Sequence, residues 1–223
     1  MDKYKWIRTS PLPSRKKIVD NLIKYSFLND SNSGFVVDKA TDEVVKARYI
    51  EKMTYIDTVE DPYGNKIEQN ILSFRSLLFQ VFLDNNLIEI VNPDMKIIRG
   101  FYGLLSQANE FSIKLEPIQF DPYNWSLCLI EQSKSEYYIE QVDFDSVLID
   151  DSVTVKMSAL GKGDVVEECR KILKSAHPPI KRIKLKSRTL KGVFVEVKAS
   201  GFVSVSSKFT ALDYNVVKSI STS

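Results

Sequence analysis

The residues best suited to chemistry in this sequence are basic residues at two-residue spacing near its end. The run from Ile180 to Arg188 carries four of them: Arg182, Lys184, Lys186 and Arg188. Side chains at that spacing share one face of a β-strand, and a row of cations can contact successive phosphates of a nucleic acid. The spacing therefore predicts a cationic strand face, with Ile183 and Leu185 directed towards a core.

Three further predicted strands alternate in the same way, with apolar residues on the buried side and other residues on the open side. They run from Ser152 to Ser158, from Gly192 to Lys198 and from Phe202 to Ser206. Their outward residues include two cations and two aromatic rings: Lys156, Lys198, Phe194 and Phe202. Aromatic rings among cations can stack on bases. We therefore expect these residues and the four basic ones to form a nucleic-acid-binding face.

The same charges have other interpretations. The open face of a one-sided antiparallel sheet is usually polar, and lysines can protect a sheet edge from pairing with other chains. Residues 151–223 hold 14 basic and 6 acidic residues, whereas the other 150 hold 17 and 23. The basic section could therefore dock against the acidic section or against a partner protein.

Residue types used by most enzymes are scarce in this sequence. The one histidine, His177, precedes two prolines, which is typical of a solvated loop. Cys128 and Cys169 stand in apolar patterns, and the absence of any CxxC pair argues against a zinc site. Neither glycine-rich phosphate-binding loop is present. The sequence favours a non-catalytic protein, and it predicts no metal and no cofactor.

Two carboxylate motifs offer alternatives. Glu196 and Lys198 have the E-x-K spacing of PD-(D/E)xK nucleases, in which the carboxylate binds a metal ion, but the upstream aspartate of that family is missing. A metal-dependent nuclease is therefore only a third hypothesis. Asp143, Asp145 and the pair at 150–151 could supply oxygen ligands to Mg²⁺ or Ca²⁺. A turn with solvated carboxylates is the favoured interpretation of these four residues.

The elements that must position the basic face indicate an α+β fold, with mainly antiparallel sheets each covered by a helix. In the last third, a helix from Asp164 to Ala176 should cover the valine side of the strands, in a ferredoxin-like, RRM-like β-α-β-β arrangement. Earlier segments predict a strand at Lys3–Thr9, a helix ending near Leu28, β-rich chain from 35 to 91 and a helix near Ile97. The stretch from 122 to 132 fits either a helix or a strand. We expect an acidic α+β section at 1–150 packed against a basic section at 151–223.

The hydropathy pattern of the sequence predicts neither a membrane-spanning helix nor a secretory signal. The longest apolar runs are far shorter than the roughly 20 residues of a membrane-spanning helix, and Met1 to Trp6 has no apolar stretch typical of a secretory signal. A cytoplasmic protein without membrane contacts is the default expectation.

One broader likeness concerns the order of elements. The run Phe74 to Glu89, the helix near 97–105, the segment Ser112 to Pro117 and the later Val153 to Lys156 together resemble the RexA-like phage exclusion and bacterial anti-phage proteins. The resemblance covers about a third of the chain and implies a DNA-binding, non-enzymatic, dimeric sensor. The resulting hypothesis is a non-catalytic nucleic-acid-binding protein, with DNA favoured over RNA, in phage defence or regulation. The alternative is a protein-interaction subunit of a larger assembly or a homodimer.

Overall fold

The computed structural model describes residues 1–28, 30–133, 136–148, 153–162, 165–173, 178–207 and 211–222. These residues form a mixed structure of helices and antiparallel strands, which confirms the α+β prediction. The chain divides into two compact units. The terminal unit contains Met1–Trp6 and Pro117–Ser223, and the central unit contains Ile7–Glu116.

The central unit is an antiparallel meander with helices. The elements up to residue 117 are β1 (Asp2–Ser10), α1 (Arg15–Lys24), β2 (Ser33–Ala40), β3 (Val44–Glu60), β4 (Lys66–Phe82), β5 (Leu87–Val91), α2 (Ile98–Ala108) and β6 (Lys114–Pro117). The sheet order is β2-β3-β4-β5-β1, and β6 pairs with β1 outside this order. Strand β1 begins in the terminal unit and continues into the central unit.

Apolar residues at helical spacing form the core of the central unit. Ile18 and Leu22 on α1, and Phe101 and Leu105 on α2, are buried. The ring of Phe101 lies 4.9 Å from that of Phe79 on β4. Residues three and four apart share one helix face, so the sequence spacing alone predicts which side of each helix packs on the sheet.

Strands β3 and β4 form a long hairpin without a bulge, from Val44 opposite Phe82 to Glu60 opposite Lys66. At its tip, Oδ1 of Asp61 accepts hydrogen bonds from two backbone N–H groups of the turn, which is the stabilisation expected for aspartate there. Within the β-rich chain from 35 to 91, the residues from Leu72 to Leu83 predict a central strand that is apolar on both faces. On one of these faces, Leu72, Phe74 and Leu78 are exposed.

The terminal unit contains the remaining elements: α3 (Pro122–Gln132), β7 (Tyr137–Leu148), β8 (Thr154–Leu160), α4 (Val165–Leu173), β9 (Ile180–Ser187), β10 (Phe194–Lys198), β11 (Phe202–Val205) and α5 (Ala211–Thr222). The strand order is β1-β11-β10-β9-β7-β8. Since β7 is antiparallel to both β8 and β9, β8 and β9 run parallel with β7 between them. The segment β8-α4-β9 is therefore a split βαβ unit.

The apolar side of this sheet is fully buried along strands β9, β10 and β11. Six residues of β9, β10 and β11 are at most 2% exposed: Ile183, Leu185, Val195, Val197, Val203 and Val205. Helix α3 packs on β9, β10 and β7, whereas α4 packs on β7 and β8. The sequence predicts that the helix after residue 164 covers the valine side of the strands. Helix α4 does pack on β8, but α3 is the helix that packs on β9 and β10. Ile172 on α4 is 76% exposed.

The stretch that sequence patterns left ambiguous is helix α3. Asp121 caps its N-terminus by accepting from the backbone N–H groups of Tyr123 and Asn124, and Pro122 occupies the first turn. Both features favour a helix start. Helix α5, which the sequence analysis did not predict, packs on α3, and the indole N–H of Trp125 donates to Ser221 Oγ at 3.1 Å.

The compact units do not divide the chain at residue 150. Strand β7, which precedes that position, pairs with β9 and β8 in the terminal unit. His177 and the residues at 150–151 lie outside the described residues. Within the described segments, no helix has the length and apolar character needed to cross a bilayer.

Candidate nucleic-acid interface

The structure brings most of the predicted cations and aromatic rings onto the open side of the β7–β11 sheet. Lys186 lies opposite Phe194, Arg182 lies opposite Lys198, and Lys198 in turn lies opposite Phe202. Between these rows, Lys184 faces Glu196 across β9 and β10. All of them are half-buried and alternate with the buried apolar residues.

Glu140 on β7 holds two of the predicted cations. Its two carboxylate oxygens accept from Lys184 Nζ and Lys186 Nζ, each at 2.8 Å. The hydrogen bonds from these two lysines lower the pKa of Glu140, while burial opposes the change. The hydrogen bond to Glu140 in turn raises the pKa of Lys186. Both lysines are therefore already engaged with a carboxylate.

Arg182 connects two further carboxylates across three strands. Its Nε donates to Asp143 Oδ2 on β7 at 2.6 Å, and its Nη1 donates to Glu196 Oε2 on β10 at 2.9 Å. Lys198 Nζ lies 3.2 Å from the other oxygen of Glu196. The side chain of Glu196 is only 16% exposed, so this carboxylate lies under the cations that it binds.

Asp143 has a different environment from the metal ligand or solvated turn residue considered from the sequence. Burial works to raise the pKa of Asp143, but hydrogen bonds from Arg182, Ser158 and Gln141 together outweigh it and the pKa is lowered. Ser158 Oγ on β8 donates at 2.7 Å and Gln141 Nε2 at 3.0 Å. Asp143 is thus an ionised structural partner of Arg182 in the middle of a strand.

Basic side chains lie over aromatic rings on this face. Lys184 Nζ lies 5.2 Å from the centre of the Phe194 ring, and the guanidinium of Arg188 lies 4.8 Å from that of Tyr138. Such contacts are cation–π interactions. A base could stack on these rings only after the cation moves. Base stacking is therefore less available on this face than the sequence predicts.

Phe202 is covered by a residue that the sequence analysis missed. Lys5 on β1 is buried, lies 4.4 Å from the centre of the Phe202 ring and donates to the carbonyl oxygen of Ser200 at 2.9 Å. Burial lowers the pKa of Lys5. The alternation of β1 puts Lys5 on a defined face of that strand, but nothing in the sequence pattern predicts that β1 lies beside β11.

Lys156 and Arg188 differ from the other cations. Lys156 is exposed on β8, on the same face as Ser158, whose register partner is Asp143. Arg188 is exposed immediately after β9. Among the described residues, neither side chain forms an ion pair with a carboxylate. These two are therefore the cations most accessible to an external phosphate.

The carboxylate of the E-x-K spacing, Glu196, is engaged by cations on this face. Within the described parts of the chain, no three His, Cys, Asp or Glu side chains are grouped so that they could hold a metal ion. Both oxygens of Glu196 face cations, and Cys169 is buried in the core, where burial raises the pKa of its thiol.

The comparisons with known proteins add no assignment. No protein-family model matches the chain, and no curated protein matches it.

Proposed function

We propose that this protein is a non-catalytic nucleic-acid-binding protein that contacts phosphates through the open face of the β7–β11 sheet. One observation carries the proposal. Six predicted cations and four strand carboxylates lie on this face, which leaves an excess of positive charge: Lys156, Arg182, Lys184, Lys186, Arg188 and Lys198 against Glu140, Asp143, Asp145 and Glu196. An excess of this sign attracts phosphates without reading sequence.

The ion pairs define how such binding would work. Phosphates would contact Lys156 and Arg188 first, because these cations have no carboxylate partner in the described structure. The other cations would have to exchange Glu140, Asp143 or Glu196 for a phosphate, which offsets most of the gain. We therefore expect weak binding with about two or three released counterions, and a slope of log K against log salt of about −2.

The finer parts of the proposal rest on the order of elements along the chain. DNA is placed ahead of RNA, and phage defence or regulation is the setting, only because the order of elements resembles that of the RexA-like proteins. The split βαβ unit β8-α4-β9 supports a ferredoxin-like comparison, although here β7, rather than a strand that follows β9, lies between its two strands. A cytoplasmic location belongs to the same proposal.

The test is fluorescence anisotropy with labelled single- and double-stranded DNA and RNA over a salt series. The Lys156→Glu/Arg188→Glu variant should weaken binding to every nucleic acid at least tenfold at low salt. The matched control is Lys39→Glu/Lys46→Glu, which makes the same charge change on two exposed lysines of the central unit and should leave affinity within about twofold. Equal losses in both variants, or no wild-type binding at about 20 mM salt, would contradict the proposal.

A second candidate function is a protein-interaction subunit. It is favoured by the exposed apolar side chains along the β3–β4 hairpin, among them Ile56 at 62% and Phe74 at 56% exposure. Large exposed apolar patches mark protein interfaces more often than solvated surfaces. This candidate predicts a stoichiometric protein complex and is dropped if the purified chain is a lone monomer at every concentration.

A further inference from the structure

The distal part of the β3–β4 hairpin extends beyond the strands that flank it. Strand β2 pairs with β3 only as far as Glu51, and β5 pairs with β4 only from Leu78 onwards. The nine residue pairs from Lys52–Phe74 to Glu60–Lys66 therefore form a two-stranded ribbon. At 3.3 Å per residue this ribbon is about 30 Å long.

The two faces of the ribbon continue different sides of the sheet formed by β3 and β4. One face continues the side of β3 and β4 on which Tyr49 and Leu77 pack in the core beneath α1 and α2. The other continues the side without that helix layer, where Leu78 is exposed. We call the second the outer face, and its residues are Lys52, Thr54, Ile56, Thr58, Glu60, Lys66, Glu68, Asn70, Leu72 and Phe74.

Apolar side chains on the outer face are strongly exposed. Ile56 is 62% exposed, Leu72 51% and Phe74 56%. Isolated two-stranded hairpins are marginally stable in water, and stability normally requires a third strand or a covered apolar face. Every residue from Thr54 to Glu60 is exposed in the isolated chain. At the base of the ribbon the Phe74 ring lies 6.0 Å from that of Phe27, so the distal part is the part that needs a cover.

We propose that a second copy of this chain covers the outer face, with the two ribbons antiparallel around a two-fold axis at the row of Ile56 and Asn70. A two-fold interface must be self-complementary, and this row gives that complementarity. Ile56 packs on Ile56 of the partner subunit, and the Asn70 amide faces Asn70 of the partner subunit, with which it can exchange hydrogen bonds.

Charge complementarity at the two ends favours this register, and the rows between them place Thr54 against the partner's Thr58 and Leu72 against the side chain of the partner's Glu68. Lys52 and Glu60 are each four residues from Ile56 on the same strand. The axis therefore places Lys52 against the partner's Glu60, and Glu60 against the partner's Lys52. On β4 it places Lys66 against the ring of the partner's Phe74, a cation–π contact. Within one copy, Lys52 and Glu60 are eight residues apart, or about 26 Å, and cannot pair with each other.

The area of the ribbon's outer face sets the expected strength of dimerisation. A face about 30 Å long and 10 Å wide offers roughly 300 Å² in projection, below the roughly 800 Å² per partner of a standard stable interface. Leu78, beside the ribbon on the same side, adds apolar area. We expect a reversible dimer with a dissociation constant in the micromolar range.

Sedimentation velocity between about 1 and 200 μM tests the dimer. Wild-type protein should shift from monomer to dimer over this range. Ile56→Ser should weaken dimerisation at least tenfold, while Tyr55→Ser, on the adjacent residue with its side chain on the opposite face, should change it less than about threefold. A wild-type monomer at 200 μM, or equal effects of the two substitutions, would overturn the proposal.

A charge exchange tests the register itself. Lys52→Glu and Glu60→Lys should each remain monomeric, because each places like charges opposite one another twice. An equimolar mixture of the two variants should form a heterodimer, since both contacts then join opposite charges. A mixture that stays monomeric would overturn the register, and circular dichroism of each variant verifies that it is folded. This outcome is independent of nucleic-acid binding.

Discussion

Arg182 Nε on β9 donates to Asp143 Oδ2 on β7 at 2.6 Å, which joins the basic end of the sequence to the acidic segment before residue 150. Together with the pairs from Glu140 to Lys184 and Lys186, it means that much of the charge segregation along the sequence is neutralised within the terminal unit. Docking of basic on acidic chain, one of the interpretations left open by the sequence, thus occurs between neighbouring strands.

The ion pair of Arg182 should matter for stability more than for binding. Replacing Arg182 by Met leaves Asp143 and Glu196 half-buried without their shared cation, and we expect a loss of about 1–2 kcal/mol in the free energy of unfolding. Arg188→Met is the control, because Arg188 is exposed and lies over the Tyr138 ring; it should cost less than about 1 kcal/mol. Urea unfolding measures both, and equal losses would show that the Arg182 pairs add nothing.

Removing a carboxylate from the basic face should improve nucleic-acid binding. Glu140→Gln adds one unit of positive charge and frees Lys184 and Lys186 for phosphates. We expect affinity to rise about three- to tenfold at low salt and the salt slope to steepen by about two, one for each freed lysine. Anisotropy titrations give both quantities. Glu43→Gln, at an exposed position of the central unit, should have no such effect, and a Glu140→Gln affinity that stays level or falls would count against the phosphate-binding face.

The sequence could predict this face because strand alternation is a local property. Arg182, Lys184 and Lys186 had to share a side of β9 once Ile183 and Leu185 were buried. The partner strands were not predictable in the same way. That β7 with Glu140 pairs with β9 depends on how the sheet is ordered, and no short-range pattern specifies that order.

Two other differences between the sequence predictions and the structure also depend on long-range packing. The apolar residues of β4 suited a central strand with two apolar faces, but Leu72 on the outer face of the ribbon is exposed, because burial of a sheet face depends on elements distant in sequence. The helix at α3 had suitable start signals in Asp121 and Pro122, yet its apolar residues fitted a strand as well. Its assignment depends on packing against β9 and β10.

Stability should be constant from pH 7 to about 5 and decrease below about pH 4. Both Glu140 and Asp143 have pKa values lowered in the folded state. Their contribution is therefore complete above the unfolded values of about 4.3 and 3.9 and is lost as the pH falls through the lower folded values. The urea midpoint measured from pH 7 to 3 should fall less steeply in Glu140→Gln/Asp143→Asn than in the wild type. Parallel curves would show that these carboxylates are not linked to folding.

Two glycine substitutions should have opposite effects on stability. Gly201, between β10 and β11, has φ +83°, and a Cβ there would lie 1.8 Å from the carbonyl oxygen of Ile118. Gly201→Ala should therefore cost at least about 2 kcal/mol, since both the backbone conformation and the space exclude a side chain. Gly103 lies in α2 with no atom within 4 Å of a Cβ built on it. Gly103→Ala should stabilise the protein by about 0.5–1 kcal/mol, because alanine loses less backbone entropy in a helix. Urea unfolding of both variants measures the difference, and a neutral Gly201→Ala would show that the turn between β10 and β11 has room for a methyl group.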